Sequence, residues 1–236
     1  MRLIALARLL QLCSQALPIG GYSHSQGLEA AIEHEVVRDE GSLLRWVSDV
    51  LEFSVKSFEI PYMVSMAVAW ARSDPAAVAA LNEEYLSSRE SAELRAAAVQ
   101  MGFSLRALLC VLPDFPQDTV DTLRAIPDLS LPCVWSAAAT AWDIQPRESV
   151  MGYLWTWAEN QVLVAMKAVP LGQSAGQRVL LAIGSRIAGA AADLDSGGTG
   201  ADAIGDASSD GYSNFSPGLA ILSSRHETQY SRLFRS

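Results

Sequence analysis

Apolar residues return every three to four positions along almost the whole chain, and no sustained alternating run of β-branched residues occurs anywhere. That period builds helices and leaves nothing from which to make a sheet. Leu3 to Leu12 carries apolar residues at 3, 6, 9, 10 and 12, with Arg2, Arg8 and Gln11 between them. Residues 42 to 59 repeat the stripe with Leu43, Leu44, Val47, Val50, Leu51 and Val55. Pro61 is expected to open a further helix to about Ala71, because the first turn loses nothing by lacking an N–H. Asp74-Pro75 is a start signal, a capping aspartate followed by proline, for a helix through Leu86. Residues 88 to 112 read as another long helix. Prolines 113, 116, 127 and 132 punctuate two shorter ones, and Pro146 with Glu148 opens the next. The expected fold class is all-α, a single-domain multi-helix bundle.

Composition breaks after Ala192. From Asp193 to Gly211 the chain is Gly, Ser, Asp and Ala apart from Thr199, with only Leu194 and Ile204 as larger aliphatics. Such a stretch buries too little to offset its ordering entropy. The expected organisation is therefore a helical domain over 1–192, a flexible acidic linker over 193–216, and a C-terminal helix and partner-binding tail over 217–236. Net charge is −9 across 236 residues, which leaves no basic face for nucleic acid. Three cysteines, Cys13, Cys110 and Cys133, are odd in number and far apart, as buried thiols in a reducing compartment would be. A cytoplasmic protein is expected, since Arg8, Gln11 and Gln15 also interrupt any signal-peptide layout.

Residues 150 to 169 are apolar on nearly every face and long enough to span a bilayer. Glu159-Asn160-Gln161 at the middle argues instead for a helix surrounded by other helices, so no membrane partner is expected. Lys167, one of only two lysines, either snorkels to the surface or points its charge at a partner. The following Gly172-Gln173-Ser174-Ala175-Gly176 matches the G-x-S-x-G nucleophile elbow, and Asp193, Asp195 and His226 follow in triad order. An elbow needs a strand feeding its serine, and a long helix precedes this one. A tight helix–helix turn is the expectation, with a Ser174 hydrolase as the alternative of another class.

Two stretches stand apart from the helical pattern. Leu17-Pro18-Ile19-Gly20-Gly21-Tyr22-Ser23-His24-Ser25-Gln26-Gly27-Leu28-Glu29 is a compact turn: Pro18 ends the first helix and the double glycine permits positive φ. Ser23 or Ser25 is placed to cap the next helix. The turn reads either as a plain connection or as a surface contact point. The chain ends in His226-Glu227-Thr228-Gln229-Tyr230-Ser231-Arg232-Leu233-Phe234-Arg235-Ser236, a polar, basic and aromatic tail of interface character rather than core.

Both stretches, together with Glu93-Leu94-Arg95, Met101-Gly102 and Pro170-Leu171-Gly172-Gln173, resemble the UreF family of urease accessory proteins. The resemblance implies a non-enzymatic, dimeric maturation factor. Such a factor joins UreD (UreH in some organisms) and the GTPase UreG on the urease apoprotein for nickel insertion, and modulates the GTPase. It implies partner-binding roles for Pro18, Gly20, Gly21, Tyr22, Ser25, Gln26, Gly27 and Glu29, and for Lys167, Pro170, Gly172, Gln173 and Gln177. The tail supplies His226, Glu227, Gln229, Tyr230, Arg232, Leu233, Phe234, Arg235 and Ser236, expected to be mobile in the free protein and to order on a partner. No phosphate-loop motif occurs, and histidines 24, 34 and 226 lack metal-ligand spacing, so no cofactor and no resident metal site is expected. Transient nickel contacts by Cys13, His24, His226 or Glu227 would leave no spacing signature.

Overall fold

Side-chain caps set four of the helix starts among the described residues. A computed structural model of the chain describes residues 1–196 and 212–235. Among them there is no strand; the helices are α1 (Leu3–Leu12), α2 (Leu28–Glu33), α3 (Glu40–Val50), α4 (Ile60–Ala71), α5 (Pro75–Ser87), α6 (Ala92–Leu109), α7 (Gln117–Ala125), α8 (Leu131–Ala141), α9 (Pro146–Ala168), α10 (Gln173–Ala192) and α11 (Pro217–His226). Asp39 and Ser42 form a reciprocal capping box at α3. Asp74 accepts from the Ala77 N–H, and Ser91 from the Leu94 N–H, at α5 and α6.

The packing centre is α9. It lies against α1, α2, α3, α4, α8 and α10, with Val150, Leu154, Ala158, Val162 and Ala165 buried. Enclosure on all sides explains why its sequence lacks a polar face. No helix among the described residues is long and apolar enough to cross a membrane.

Pro61 stands in the first turn of α4, which ends at Ala71 as expected, but no break precedes it. Residues 51–59 form a π-helical segment that joins α3 to α4 without a break. Proline leaves the carbonyl four residues earlier without its usual donor. That carbonyl belongs to Ser57, and it accepts from the Ser213 N–H at 3.1 Å, while Ser57 Oγ donates to the Ser213 carbonyl at 2.8 Å. The wider π turn brings Phe58 and Glu59 inward. Arg89 Nη1 donates to Glu59 Oε1 at 2.9 Å and the Tyr153 hydroxyl to Glu59 Oε2 at 2.7 Å, all in the interior.

Both ends of the expected linker are attached to the body. Asp193, in a short 3-10 turn, pairs with Lys56 at 3.2 Å. Tyr212 stacks edge-on against Tyr62 with ring centres 4.9 Å apart, and Asn214 Nδ2 donates to the Ser88 carbonyl at 2.7 Å. The flexibility expected for residues 197–211 lies outside the described residues, as does Ser236. The three cysteines are free thiols; Cys133 is fully buried, and burial pushes it up to about 12, while Cys13 and Cys110 are half-buried.

The α6–α8 crossing depends on Gly102. A Cβ there would overlap the Leu129 carbonyl oxygen and come within 2.7 Å of the Ser130 carbonyl carbon. Backbone cannot yield as a flexible side chain can. Gly102→Ala should destabilise the fold by about 1–3 kcal/mol in urea unfolding. Gly189→Ala, where a Cβ meets nothing within 4 Å inside α10, should instead stabilise it by roughly 0.5–1 kcal/mol.

Candidate functional site

The Pro18–Glu29 turn folds around its glycines. Gly20 has φ 72° and leads into a 3-10 turn over Gly21–Ser23, where Ser23 Oγ donates to the Gly20 carbonyl at 2.7 Å. Gly27, at φ 85°, is the cap residue of α2, and Gln26 before it also has a positive φ. The expected serine cap is thus absent. Ser23 bonds backward, and Ser25 Oγ is buried without a hydrogen-bond partner. Two amides of α9 hold the turn from beneath: Asn160 Nδ2 donates to the His24 carbonyl at 2.9 Å and Gln161 Nε2 to the Ser25 carbonyl at 3.2 Å. Pro18 is exposed and Gly21 half-buried.

The tail, expected to be mobile, is docked onto this turn. His226 closes α11 and is fully buried. Its Nδ1 lies 2.7 Å from Glu93 Oε2 and its Nε2 2.9 Å from Glu29 Oε2. An ionised carboxylate only accepts, so both bonds form together when both ring nitrogens carry hydrogen. Glu29 accepts further from the backbone N–H groups of Leu233 at 2.6 Å and Phe234 at 3.0 Å. Arg232 Nη1 donates to Glu93 Oε1 at 2.8 Å, and its other branch reaches the Glu227 carbonyl. Glu227 Oε1 in turn accepts from the Ala92 N–H at 3.0 Å, at the start of α6. The Arg235 N–H donates to the Ser23 carbonyl at 2.8 Å, and Gln229 Nε2 to the Ser231 carbonyl at 2.8 Å. Two buried carboxylates thereby share the imidazole between them, and Arg232 closes the set from the surface.

Phe234 is accordingly core rather than surface, which corrects its expected availability to a partner. Lys167 is exposed, as the first of its two expected roles has it, and its Nζ also sits 5.8 Å from the Tyr22 ring centre and 5.6 Å from that of Phe234, a cation over two aromatic faces of its own chain. What remains outward is Tyr22 at 62 % exposure, Leu233 at 70 %, a fully exposed Tyr230, and Arg235. Turn, Lys167 and tail are one cluster. Pro170, Gly172, Gln173 and Gln177 are exposed around the start of α10, outside that hydrogen-bonded network.

The G-x-S-x-G run belongs to this helix start. Ser174 is exposed in the first turn of α10, entered from the bend after α9 and not from a strand. His226, the base that the triad order would require, has both ring nitrogens engaged by Glu29 and Glu93, which speaks against the serine hydrolase. Among the described residues no group of three or more His, Cys, Asp or Glu side chains is placed to hold a metal ion. The acid partner Glu93 and the amides Asn160 and Gln161 were not singled out as site residues. Their signal was present: polar side chains at core positions of α6 and α9 need partners.

The UreF family model matches residues 37–184. The chain is 49 % identical to the urease accessory protein UreF of Dechloromonas aromatica (strain RCB), with 99 % of this chain and 98 % of the relative covered. It is 50 % identical to the urease accessory protein UreF of Azoarcus sp. (strain BH72), over 99 % of this chain and 97 % of the relative. These alignments include the turn and the tail that the family model leaves out.

Removing His226 would leave Glu29 and Glu93 facing each other in the interior. His226→Ala should cost the docked tail about 3–5 kcal/mol, seen as faster hydrogen exchange at the Leu233 and Phe234 amides while the helical signal persists. His24 titrates separately: burial, then the charge of Arg235, lowers it to about 4. The unfolded chain therefore binds the extra proton first as pH falls. Stability should be full above pH ~6.5 and decline toward pH ~4, with a shallower decline in His24→Gln, as thermal melts across that window would show.

Proposed function

The chain belongs to the UreF family of urease accessory proteins, and from that premise we propose that it is a non-enzymatic urease maturation factor. It joins UreD (or UreH) and the GTPase UreG on the urease apoprotein during nickel insertion, and it modulates the GTPase. The nucleotide sits on the partner, and this chain contributes surface. It works in the cytoplasm as a homodimer.

The observation that carries the reading is the docked tail. Glu29, Glu93 and His226 fix the backbone of Leu233 and Phe234, so Tyr22, Tyr230, Leu233 and Arg235 are displayed together on an already ordered segment. Interfaces are enriched in tyrosine and arginine, and an ordered segment loses less entropy on binding than a free one. Docking of a preformed surface thus replaces the folding-on-binding first expected of the tail. Lys167 supports it from behind by holding Tyr22 and Phe234.

The test is co-purification by size exclusion with light scattering, mixing the chain with cognate UreD and UreG, with and without GTP. Truncation after Phe215 would remove the buried Leu219, Leu222 and His226, so it disturbs the fold as well as the surface. Tyr230→Ala with Leu233→Ala touches exposed side chains only. The pair should weaken the complex by about 1–3 kcal/mol with unchanged helicity. A wild-type chain that stays alone with every partner would refute the proposal.

A further inference from the structure

Helices α4, α8 and α9 leave between them a hollow of about 240 Å³. Protein interiors hold few voids larger than a water molecule, and an engineered cavity of about 150 Å³ already takes up benzene. The wall is made by Val64, Ala67 and Ala71 of α4, Ala139 of α8, and Ile144 and Val150. Three alanines keep the space clear, since none has a side chain long enough to enter it. The two serines of the wall are already engaged. Ser136 Oγ donates to the Met63 carbonyl at 3.0 Å, and Ser149 Oγ accepts from Trp135 Nε1 at 3.2 Å. The interior of the hollow is therefore apolar, with room for one benzene ring and a few atoms more.

Its rim is charged. Asp143, in the turn between α8 and α9, lines the opening beside the exposed Ala71 and Pro146. Arg2, at the start of α1, stands against it with Nη1 3.7 Å from Asp143 Oδ2. That separation is too long for a hydrogen bond. The two side chains are 81 and 66 % exposed, so the pair gains little from its own attraction. The guanidinium and the carboxylate thus keep donors and lone pairs for a third group. Opposite charges side by side at the mouth of an apolar hollow complement a molecule that carries an ammonium, a carboxylate and an apolar branch on one carbon.

We propose that this hollow binds a free α-amino acid with an apolar side chain of about the size of phenylalanine. The side chain enters between α4, α8 and α9, the ammonium meets Asp143, and the carboxylate meets the guanidinium of Arg2. A residue inside a polypeptide has spent its charges in peptide bonds, so the ligand is the free amino acid and not a segment of a protein. Burial of the ring removes apolar surface from water, and two charge-assisted hydrogen bonds fix which end stays outside. The hollow lies where α4, α8 and α9 pack on one another, so an occupant touches three helices of the bundle and stabilises the folded chain.

The experiment is a titration of the full chain alone, labelled at its valine and alanine methyl groups for NMR, with L-phenylalanine. Saturable shifts are expected at Val64, Ala67, Ala139 and Val150. Phenethylamine, which lacks the carboxylate, and 3-phenylpropanoate, which lacks the ammonium, should each bind roughly tenfold more weakly. Asp143→Asn should weaken L-phenylalanine roughly tenfold and bind 3-phenylpropanoate no worse than wild type. Arg2→Gln should weaken it to a similar degree and bind phenethylamine no worse. Ala67→Leu, which puts a side chain into the hollow, should abolish binding of all three. Absence of a saturable shift at these methyl groups overturns the proposal, as does L-phenylalanine binding that either rim variant leaves unchanged. If Ala67→Leu loses helicity, the two rim variants decide, since Arg2 and Asp143 lie outside the core.

Discussion

One carboxylate ties the two ends of the chain together. Glu29, two residues past the left-handed Gly27, is buried and accepts from His226 Nε2 and from the N–H groups of Leu233 and Phe234, some two hundred positions later. A buried carboxylate is costly unless its lone pairs are filled, so the folded state requires the tail in place. Glu93 performs the same service for the other ring nitrogen and for Arg232. Each member of the set compensates another. Removal of His226 leaves two buried carboxylates short of a donor, so the turn and the docked tail depend on it together.

How much of this was readable before any coordinates depended on whether the partner was local. The caps at Asp74 and Ser91 act within three residues, and the helices they open were legible. Pro61 was not. The carbonyl it deprives finds its donor at Ser213, far along the chain, so a break in the helix became a continuous π-bulged one. Composition marked the tail as surface because it is polar and basic. Its acid counterparts sit on α2 and α6, and their convergence is a tertiary fact. Asn160 and Gln161 offered a clue: two amides in an enclosed helix imply carbonyls to receive them, here those of His24 and Ser25. The G-x-S-x-G run shows the opposite error, a local match whose meaning depends on what precedes it.

An ordered C-terminal segment changes the energetics of recruitment. A free tail must be immobilised when it meets a partner, and that loss subtracts from affinity. Here the rigid scaffold of α2, α6 and α11 has already met it during folding, and the aromatic side chains Tyr22 and Tyr230 extend from it with few rotatable bonds. Such surfaces associate without rearranging their backbone. Under the proposed role, selectivity rests on shape and on the exposed guanidinium of Arg235 more than on induced order.

The anchoring of Asp193 to Lys56 and of Ser213 to Ser57 has a topological reading. Lys56 and Ser57 are neighbours in sequence, so Asp193 and Ser213 are held close to one another. Closing a chain between two fixed points costs an entropy that grows slowly, about 0.6 kcal/mol for each doubling of length, so the spacing of the two anchors, rather than the length of chain between them, sets the register of the bundle. For the same reason the stretch between the anchors is the natural place to open the chain in a circular permutant.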